Sequence, residues 1–188
     1  MSTPAIPVLE TARLRLRAFQ PGDADAYHAA VYGDVDVTKY LPGGAPRPIE
    51  RTYPLIDAFN ASWDKNGIGG LAVIVKADGQ LIGHCGLIPM SASSLPDPEV
   101  EVFYAIGKAY WGQGLVTEAA RAVIDDGFTR AGLERIVAVA VPANTASRRV
   151  MEKLGMRYEG MTSRYYNAEL AYYALSRDDW DFSRSPER

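Results

Sequence analysis

The residues whose types and spacing best suit a binding site lie where an apolar strand pattern ends at Ile106. A loop follows this strand, and a helical pattern follows the loop. The loop contains Gly112 and Gly114, and Thr117 falls in the first turn of the expected helix. Glycine lets backbone N–H groups approach an anion closely, and a helix N-terminus adds about half a positive charge. The residue order therefore predicts an anion-binding turn over residues 112–117.

The spacing of this turn leaves the kind of anion open. The sequence has no G-x-x-x-x-G-K-[ST] motif, which disfavours a P-loop nucleotide kinase. It also has no G-x-G-x-x-G motif, which disfavours a dinucleotide fold. A bare G-x-G before a helix equally fits a tight turn that only lets the helix pack closely, so both interpretations stay open at this point.

The elements that position this turn are predicted from hydrophobic periodicity. Residues 77–80, A-D-G-Q, join two of the strands as a hairpin, and a loop over 33–48 includes a short turn around 37–41. A second loop spans residues 89–98. Strands are expected over residues 11–19, 71–76, 81–88, 100–106, 135–141, 156–161 and 170–175, and helices over 24–31, 49–63, 116–131 and 144–154.

This order predicts an α/β (α+β) fold with one mixed, mostly antiparallel sheet of about seven strands, flanked by about four helices, with a helical crossover in its middle. No linker-like change of composition divides the chain. We therefore expect one domain over residues 9–182, with tails at 1–8 and 183–188.

Composition limits the classes of protein. The chain has 188 residues, of which 47% are hydrophobic and 23% charged, enough for a single core and incompatible with intrinsic disorder. A net charge of −3 argues against a nucleic-acid partner held by bulk electrostatics. Cys85 is the only cysteine, so no intramolecular disulfide forms, and no Cys/His spacing predicts a metal. The first residues lack the pattern of a signal peptide and no run is long enough to span a bilayer, so we expect a cytoplasmic protein without a membrane partner.

Two long motifs in this order resemble the GNAT superfamily of acyl-CoA-dependent N-acyltransferases, and within it the RimJ/RimL-like branch. The likeness spans residues 9–180 and begins with T-A-R-L-R-L-R-A-F-Q-P-G-D-A-D-A at residues 11–26. Its strongest part is residues 101–119, which contain W-G-Q-G followed by T-E-A. The second motif is V-P-A-N-T-A-S-R-R-V-M-E-K-L-G-M at residues 141–156, followed by Y-E-G at 158–160.

The resemblance implies that the anion is the pyrophosphate of acetyl-CoA, the cosubstrate, and that no metal takes part. Trp111 stands where the superfamily has Arg or Gln, and Val116 where it has a small residue, so the contact rests on backbone N–H groups. Asn144 is expected to bind the pantetheine or adenosine part, with a plain helix cap as the alternative. The implied cofactor-binding residues are Trp111, Gly112, Gln113, Gly114, Leu115, Val116 and Thr117 around the pyrophosphate, the backbone of Tyr104, Ala105 and Ile106 along the pantetheine arm, and Asn144 and Ser147.

Acetyl transfer from a thioester to an amine needs a neutral amine, a stabilised oxyanion and a proton for the leaving thiolate. At pH 7, deprotonation costs about 1 kcal/mol for an α-amine and about 4.6 kcal/mol for a lysine-like amine. A base and a desolvating pocket must supply more help for an alkylamine. Direct transfer needs no covalent intermediate, so Cys85 is not required as a nucleophile.

Glu101 is the leading candidate for the base, acting directly or through a water. The family commonly has a carboxylate facing the acceptor on this strand, and the position of Glu101 between Val100 and Val102 suits a pocket. Partial burial would raise its pKa toward that of a working base. The alternatives are an exposed edge charge, or an ion pair with an arginine of a neighbouring strand. Glu99 shares the face of Glu101 and is the second candidate.

Ser147 is the candidate that handles the thiolate. Many GNAT enzymes use a tyrosine four residues before the helix-ending glycine, but here that residue is Met151, which has no proton to donate. The branch places a serine at position 147, in the first helical turn. A local backbone hydrogen bond is the equally weighted alternative.

Other polar residues receive weaker assignments. Tyr165 and Tyr166 fall near where a RimL-type pattern has a catalytic glutamate, and they are expected either to shape the acceptor pocket or to belong to the core. The histidines and the arginines of the first strand, Arg13, Arg15 and Arg17, are interpreted as structural or solvated.

Three functions are compatible with these residues: an N-acetyltransferase working in a ternary complex, a non-catalytic acyl-CoA-binding module, and a structural domain with an incidental glycine turn. For the enzyme, the partners are acetyl-CoA and a primary amine. A protein N-terminus, an antibiotic amine, a polyamine and an amino acid all remain open as acceptors. A homodimer is possible through the late strand at residues 170–175.

Overall fold

The computed structural model describes residues 6–90 and 98–184 and contains one sheet of eight strands in the order β1-β2-β3-β4-β5-β6-β8-β7. Only the pair β5 and β6 is parallel. The predicted mixed, mostly antiparallel sheet is confirmed. The strands are β1 Leu9–Glu10, β2 Leu14–Arg17, β3 Gly70–Val75, β4 Leu81–Met90, β5 Glu99–Ile106, β6 Arg135–Ala140, β7 Arg157–Thr162 and β8 Leu170–Ser176.

Helices cover both faces of the sheet. One face packs against the longest helices of the first half of the chain through Phe19, Tyr27, Ile56 and Phe59. The other packs against the helix after the glycine turn, whose buried stripe includes Ala120 and Ile124. The helices are α1 Ala24–Tyr27, continued by a π-helical turn His28–Tyr32, α2 Val35–Thr38, α3 Thr52–Asn66, α4 Leu115–Thr129, α5 Thr145–Lys153 and α6 Arg177–Arg184.

The sheet opens between β5 and β6, the feature that creates the site. β5 pairs with β4 along its whole length, from Glu99 to Ile106. With β6 it shares a single register pair among the described residues, Glu101 opposite Val137. Beyond that pair the two strands separate, so the second half of β5 has a backbone edge facing β6 without a β6 partner.

Several details differ from the expectations. The turn expected around residues 37–41 is the helix α2, which begins earlier because the Asp34 side chain accepts the Asp36 N–H at 2.7 Å and caps it. The loop before α4 contains a 3-10 turn, Lys108–Tyr110. Strand β1 and helix α6 had no periodic signal, because β1 has only two residues and α6 buries its Trp180 within a strongly charged segment.

The predicted dimer strand is wrong. Strand β8 lies inside the sheet between β6 and β7 and pairs with both, so it has no free edge for a second subunit. Of the loop predicted at 89–98, Pro89 and Met90 belong to β4, and residues 91–97 lie outside the described residues. The tail residues 1–5 and 185–188 lie outside them as well.

Candidate active site

A cavity of about 420 Å³ lies where β5 and β6 separate. It passes from one face of the sheet to the other, so side chains of both faces line it. From β5 it receives Glu101 and Tyr104, from the start of α5 Ser147, and from the loop between β7 and β8 Tyr166. The opening in the sheet thus brings both predicted catalytic residues, Glu101 and Ser147, to one cavity.

Glu101 is buried, with 5% of its surface exposed. Burial raises its pKa from 4.5 to about 7, against the opposing hydrogen bonds of the Tyr166 hydroxyl and the Val139 backbone. The Tyr166 hydroxyl donates to Glu101 Oε2 at 2.6 Å. No arginine pairs with this carboxylate among the described residues. Both alternatives for Glu101, an exposed edge charge and an arginine pair, are therefore wrong.

Glu99 is engaged elsewhere. Its Oε1 accepts the Tyr172 hydroxyl at 2.5 Å, its Oε2 accepts the Tyr165 hydroxyl, and Arg164 lies 3.8 Å away. It is not among the residues that line the cavity. Of the two candidate bases, Glu101 is therefore the one that lines the cavity.

Tyr165 and Tyr166 divide between the two expected roles. Tyr165 is buried in the cluster around β8, as a core residue is. Tyr166 is half exposed and lines the cavity with its hydroxyl on Glu101. Tyr166 and Asn167 both have left-handed backbones, with φ of 55° and 50°. A bulky side chain rarely adopts this conformation, and such strain concentrates at functional sites.

Ser147 sits beside a phenol that the sequence interpretation used only for its backbone. The Tyr104 hydroxyl lies 3.1 Å from Ser147 Oγ. Burial raises the pKa of Tyr104, so this hydroxyl keeps its proton near neutral pH. Met151, the residue at the position where many GNAT enzymes have a tyrosine, lines the same cavity. Tyr104 therefore places a protonated hydroxyl beside Ser147 from a different element, a group that the Met151 side chain lacks.

Asn144 is the N-cap of α5. Its Oδ1 accepts the backbone N–H of Ser147 at 3.1 Å, which is the cap role named as the alternative. Asn144 also lines the cavity. The cap fixes the first turn of α5 and with it the position of Ser147.

The turn at residues 112–117 has the features of an anion cradle. Gly112 and Gly114 have φ of 74° and 76°, and Gly114 is the N-cap of α4 without a side-chain cap. The Glu118 N–H donates to the Gly114 carbonyl at 3.0 Å. Among the described residues, this is the first backbone hydrogen bond that an N–H group makes after the turn begins. The N–H groups of residues 112–117 donate to no backbone carbonyl within residues 6–90 and 98–184. The first N–H groups of any helix lack an intrahelical partner, which accounts for residues 115–117, and the N–H groups of residues 112–114 extend this set of donors at the head of α4.

Arg13 holds this turn in place. Its guanidinium donates to the Gln113 carbonyl at 2.9 Å and to Glu118 at 2.6 Å. Glu118 also accepts the Thr11 hydroxyl at 2.6 Å. These contacts satisfy the one carboxylate in the first turn of α4, so it does not oppose an incoming anion by an unpaired charge.

The open edge of β5 is formed by alternate residues. Gly107 N–H donates to the Ile82 carbonyl at 2.8 Å, so Gly107 and Ala105 direct their backbone groups toward β4. Tyr104 and Ile106 then direct theirs toward the gap. The Ile106 carbonyl accepts the Trp111 indole N–H at 2.9 Å, which leaves the Ile106 N–H and both groups of Tyr104 along this edge.

The sequence interpretation of His84 and Cys85 agrees with their environment. His84 Nδ1 lies 2.7 Å from the Tyr27 hydroxyl, and burial lowers the pKa of His84 to about 3, so the ring is neutral at pH 7. Cys85 is fully buried and burial raises its pKa, which makes it a poor nucleophile.

The sequence analysis named no cavity-lining residue in the segment between the π-helical turn and α3, nor in the helices that flank it. This segment had no periodic signal beyond a loop, because its residues are placed by packing across the sheet. One cue was available, the cation Arg47 within the apolar and glycine-rich residues 40–48. The missed lining residues include Tyr32, Tyr40, Leu41, Arg47, Leu55 and Phe59, together with Phe103 of β5.

Comparison with known proteins identifies the fold and the family. Residues 13–157 match the family described as "Acetyltransferase (GNAT) domain". YoaA of Bacillus subtilis (strain 168), called an uncharacterized N-acetyltransferase, is 33% identical over 160 residues, which are 85% of this chain and 88% of that protein. A GNAT-family acetyltransferase structure from Bacillus anthracis has a TM-score of 0.76 at 29% identity and covers 92% of this chain and 99% of its own. A structure of RimL, the ribosomal L7/L12 alpha-N-protein acetyltransferase in complex with coenzyme A, shares the fold, with a TM-score of 0.77 at 15% identity over 92% of this chain and 99% of its own.

The chain belongs to the GNAT acetyltransferase family, since the family match covers most of its length. Its relatives are N-acetyltransferases, and the enzyme class is that of an acyltransferase acting on amines. The catalytic interpretation is thus favoured over a binding module or a structural domain. Within residues 6–90 and 98–184, none of the helices combines the length and apolar character that crossing a membrane requires.

Proposed function

We propose that this protein transfers an acetyl group from acetyl-CoA to a primary amine by direct attack in a ternary complex. The observation that carries the proposal is Glu101, a buried carboxylate with a pKa near 7 at the gap in the sheet, opposite the Tyr104–Ser147 pair. A base and an acid that face one cavity are what amine acylation by a thioester requires.

Acetyl-CoA fits the residues around the cavity. The unengaged N–H groups of residues 112–117 and the positive end of α4 suit a diphosphate, and the free edge of β5 at Tyr104 and Ile106 suits the amide groups of a pantetheine arm. Ala105 directs its backbone toward β4 and is buried in the cluster with Tyr27 and Phe59, so it offers the pantetheine arm no backbone group. Leu115, Val116, Gln113 and Trp111 complete the turn, as the resemblance implies. The complex of RimL with coenzyme A supports the same cosubstrate by likeness of fold.

Glu101 serves as the general base. Its pKa near 7 matches the working pH, so that about half of the molecules carry the carboxylate form and the driving force for accepting a proton is still large. The base removes the proton that the amine loses as its nitrogen bonds to the acetyl carbonyl carbon. The Tyr166 hydroxyl donates to Oε2, and the Val139 backbone also hydrogen-bonds the carboxylate. A carboxylate offers about four lone-pair sites, so sites remain for the acceptor or a water.

Ser147 and Tyr104 serve as the acid. When the tetrahedral intermediate collapses, the carbon–sulfur bond breaks and the thiolate takes a proton. The Ser147 hydroxyl donates it, and the Tyr104 hydroxyl at 3.1 Å is placed to resupply Ser147. The amide product and the thiol of coenzyme A then leave.

We also propose that the chain falls in the RimJ/RimL-like branch, on the strength of its two motifs and its likeness of fold to RimL. A cytoplasmic location and action without a metal are part of the same proposal.

The test combines binding and turnover. Acetyl-CoA at 100 times its dissociation constant should stabilise the folded state by about 2.7 kcal/mol through mass action. Thiol release with an amine panel, with products identified by mass, should then show acetylation. A concentration of about 1 mM lies at the upper end of the usual range of KM values. If acetyl-CoA at this concentration does not stabilise the protein, the proposal is refuted.

A further inference from the structure

The part of the cavity wall between Tyr32 and Phe59 contains a cation that forms no ion pair among the described residues. Arg47 lines the cavity from the segment between α2 and α3. Its guanidinium carbon lies 5.0 Å from the centre of the Tyr32 ring, it donates to the Pro42 carbonyl, and its backbone N–H donates to the Tyr32 carbonyl at 3.0 Å. Among the ion pairs of the described residues, none involves Arg47. The guanidinium is therefore held in position but is not neutralised.

An arginine in this state is suited to bind an anion. The guanidinium has five N–H donors in a planar fork and keeps its charge at all relevant pH values. The stacking on Tyr32 restrains the fork, so less side-chain freedom is lost when a carboxylate binds. The contact with Pro42 uses one donor group and leaves the others available.

The same wall argues against an acceptor with several positive charges. Glu101 is the only acidic residue among the described residues that line the cavity. Because Glu101 is proposed to act as the base, no other carboxylate in this wall is available to bind a second ammonium group. Glu99, the nearest alternative in sequence, is occupied by the hydroxyls of Tyr165 and Tyr172. A polyamine or an aminoglycoside would place its additional charges beside Arg47 and apolar side chains.

The rest of the wall suits an apolar group of modest size. Leu41, Leu55, Phe59 and Phe103 line the cavity, and its volume of about 420 Å³ is at the small end for ligand pockets. His84 adds one neutral polar group: its Nδ1 lies against Tyr27, and Nε2 has no partner among the described residues.

We propose that the acceptor is a small amine that carries one carboxylate and an apolar body, as an apolar amino acid does, and that Arg47 binds the carboxylate. This inference rests on the proposed function and names the class of its acceptor. In this arrangement the amine lies toward Glu101, the carboxylate toward Arg47 and the apolar body against the leucine and phenylalanine side chains.

The test compares acids with matched amines that lack the carboxylate: phenylalanine with phenylalaninamide, leucine with leucinamide, and 6-aminohexanoate with hexylamine. We expect kcat/KM for the acid to exceed that of its partner by about 10- to 100-fold in at least one pair, the range of a hydrogen bond to a charged group. In the first two pairs, removing the negative charge lowers the amine pKa and makes more of the neutral amine available. A preference for the acid therefore runs against the supply of neutral amine and reports recognition of the carboxylate.

Arg47→Gln should lower the ratio of acid to amide kcat/KM by about 10-fold or more. Arg51→Gln is the matched control, since Arg51 is exposed and does not line the cavity, and its ratio should stay within about twofold of the natural protein.

The outcomes separate this inference from the proposed function. Acetylation of the amides and of hexylamine with equal or better efficiency than the acids would leave the N-acetyltransferase in place and overturn the acceptor class, as would an unchanged ratio in Arg47→Gln. Preferred acetylation of spermidine would overturn it too. If acetyl-CoA binds but no amine of any class is acetylated, the proposed function and the acceptor class fall together.

Discussion

At the scale of single residues, the proposed acetyl transfer depends on the environment of one carboxylate, that of Glu101. Burial gives Glu101 a pKa near 7, and the Tyr166 hydroxyl limits the rise by stabilising the charged form. Without burial the carboxylate would be too weak a base, and without the hydrogen bond it would be protonated at neutral pH. The two effects together hold the pKa of Glu101 near 7, a value that suits the general base proposed for this site.

Replacing this base should abolish most of the rate. We expect Glu101→Gln to lower kcat/KM by about 10²- to 10⁴-fold, the usual contribution of a general base, while acetyl-CoA affinity changes much less. Glu99→Gln is the control and should retain activity within a few-fold, because Glu99 does not line the cavity. Steady-state kinetics and calorimetric binding of acetyl-CoA measure the two effects. The reverse pattern, with loss in the Glu99 variant alone, would move the base to Glu99.

The pH dependence provides a second prediction. In the natural protein kcat/KM should rise through pH 7 as Glu101 loses its proton. Tyr166→Phe removes a hydrogen bond that lowers this pKa, so the rising limb should move upward by about one pH unit. Tyr165→Phe, whose hydroxyl lies on Glu99 instead, should leave the limb where it is. Equal shifts in both variants would mean that the limb does not report Glu101.

At the scale of elements, the site is a product of three junctions: the end of β5, the start of α4 and the start of α5. β5 leads through the 3-10 turn Lys108–Tyr110 into the glycine turn, which leaves the N–H groups at the head of α4 without a backbone partner. The Asn144 cap begins α5 and places Ser147 beside Tyr104. Each junction is local in sequence, but the parting of β5 and β6 lets all three face the same cavity.

The glycine turn can be tested apart from its effect on stability. Gly112 and Gly132 have similar left-handed backbones, φ 74° and 70°, and a Cβ at either position meets no heavy atom within 4 Å. Each change to alanine should therefore lower the free energy of unfolding by a similar amount, about 1–2 kcal/mol. Only Gly112→Ala should weaken coenzyme A binding, by about 10-fold, because Gly132 lies at the other end of α4. Thermal unfolding and calorimetry measure both quantities, and equal affinities in the two variants would exclude the turn from the binding site.

At the scale of the whole molecule, the buried base affects stability. From pH 4.5 to about 7 the folded chain keeps the Glu101 proton that the unfolded chain has lost, so the free energy of unfolding should fall as pH rises through this window. The stabilisation is complete below the lower value and lost above the higher one, with a magnitude of at most about 3 kcal/mol. The proposed base is thus held in the fold at a cost in stability above this window.

Glu101→Gln should therefore stabilise the protein while inactivating it. The gain in melting temperature should be largest at pH 8, where the natural side chain is charged, and small at pH 5, where it is mostly protonated in the folded state. Calorimetric scans at the two pH values provide the measurement and its internal control. A gain that does not depend on pH would contradict the raised pKa.

The sequence determined the features that depend on local backbone and on hydrophobic period: the strand, glycine turn and helix from residue 101 to 119, the hairpin at Asp78 and Gly79, and the helix beginning after Asn144. It also placed Glu101 and Ser147, since their motifs lie within single elements. These features were predictable because a turn or a buried stripe is specified by residues that are neighbours in the chain.

Only the tertiary structure decided which distant groups act on those residues. Tyr166 reaches Glu101 across 65 positions of sequence, and Tyr104 reaches Ser147 across 43. Arg47 enters the cavity from a segment without periodicity, and β8 proved to be an inner strand because β7 folds back outside it. Local patterns do not encode such contacts, because they follow from how the loops cross the sheet and from the burial that results, and burial in turn sets the pKa of the base.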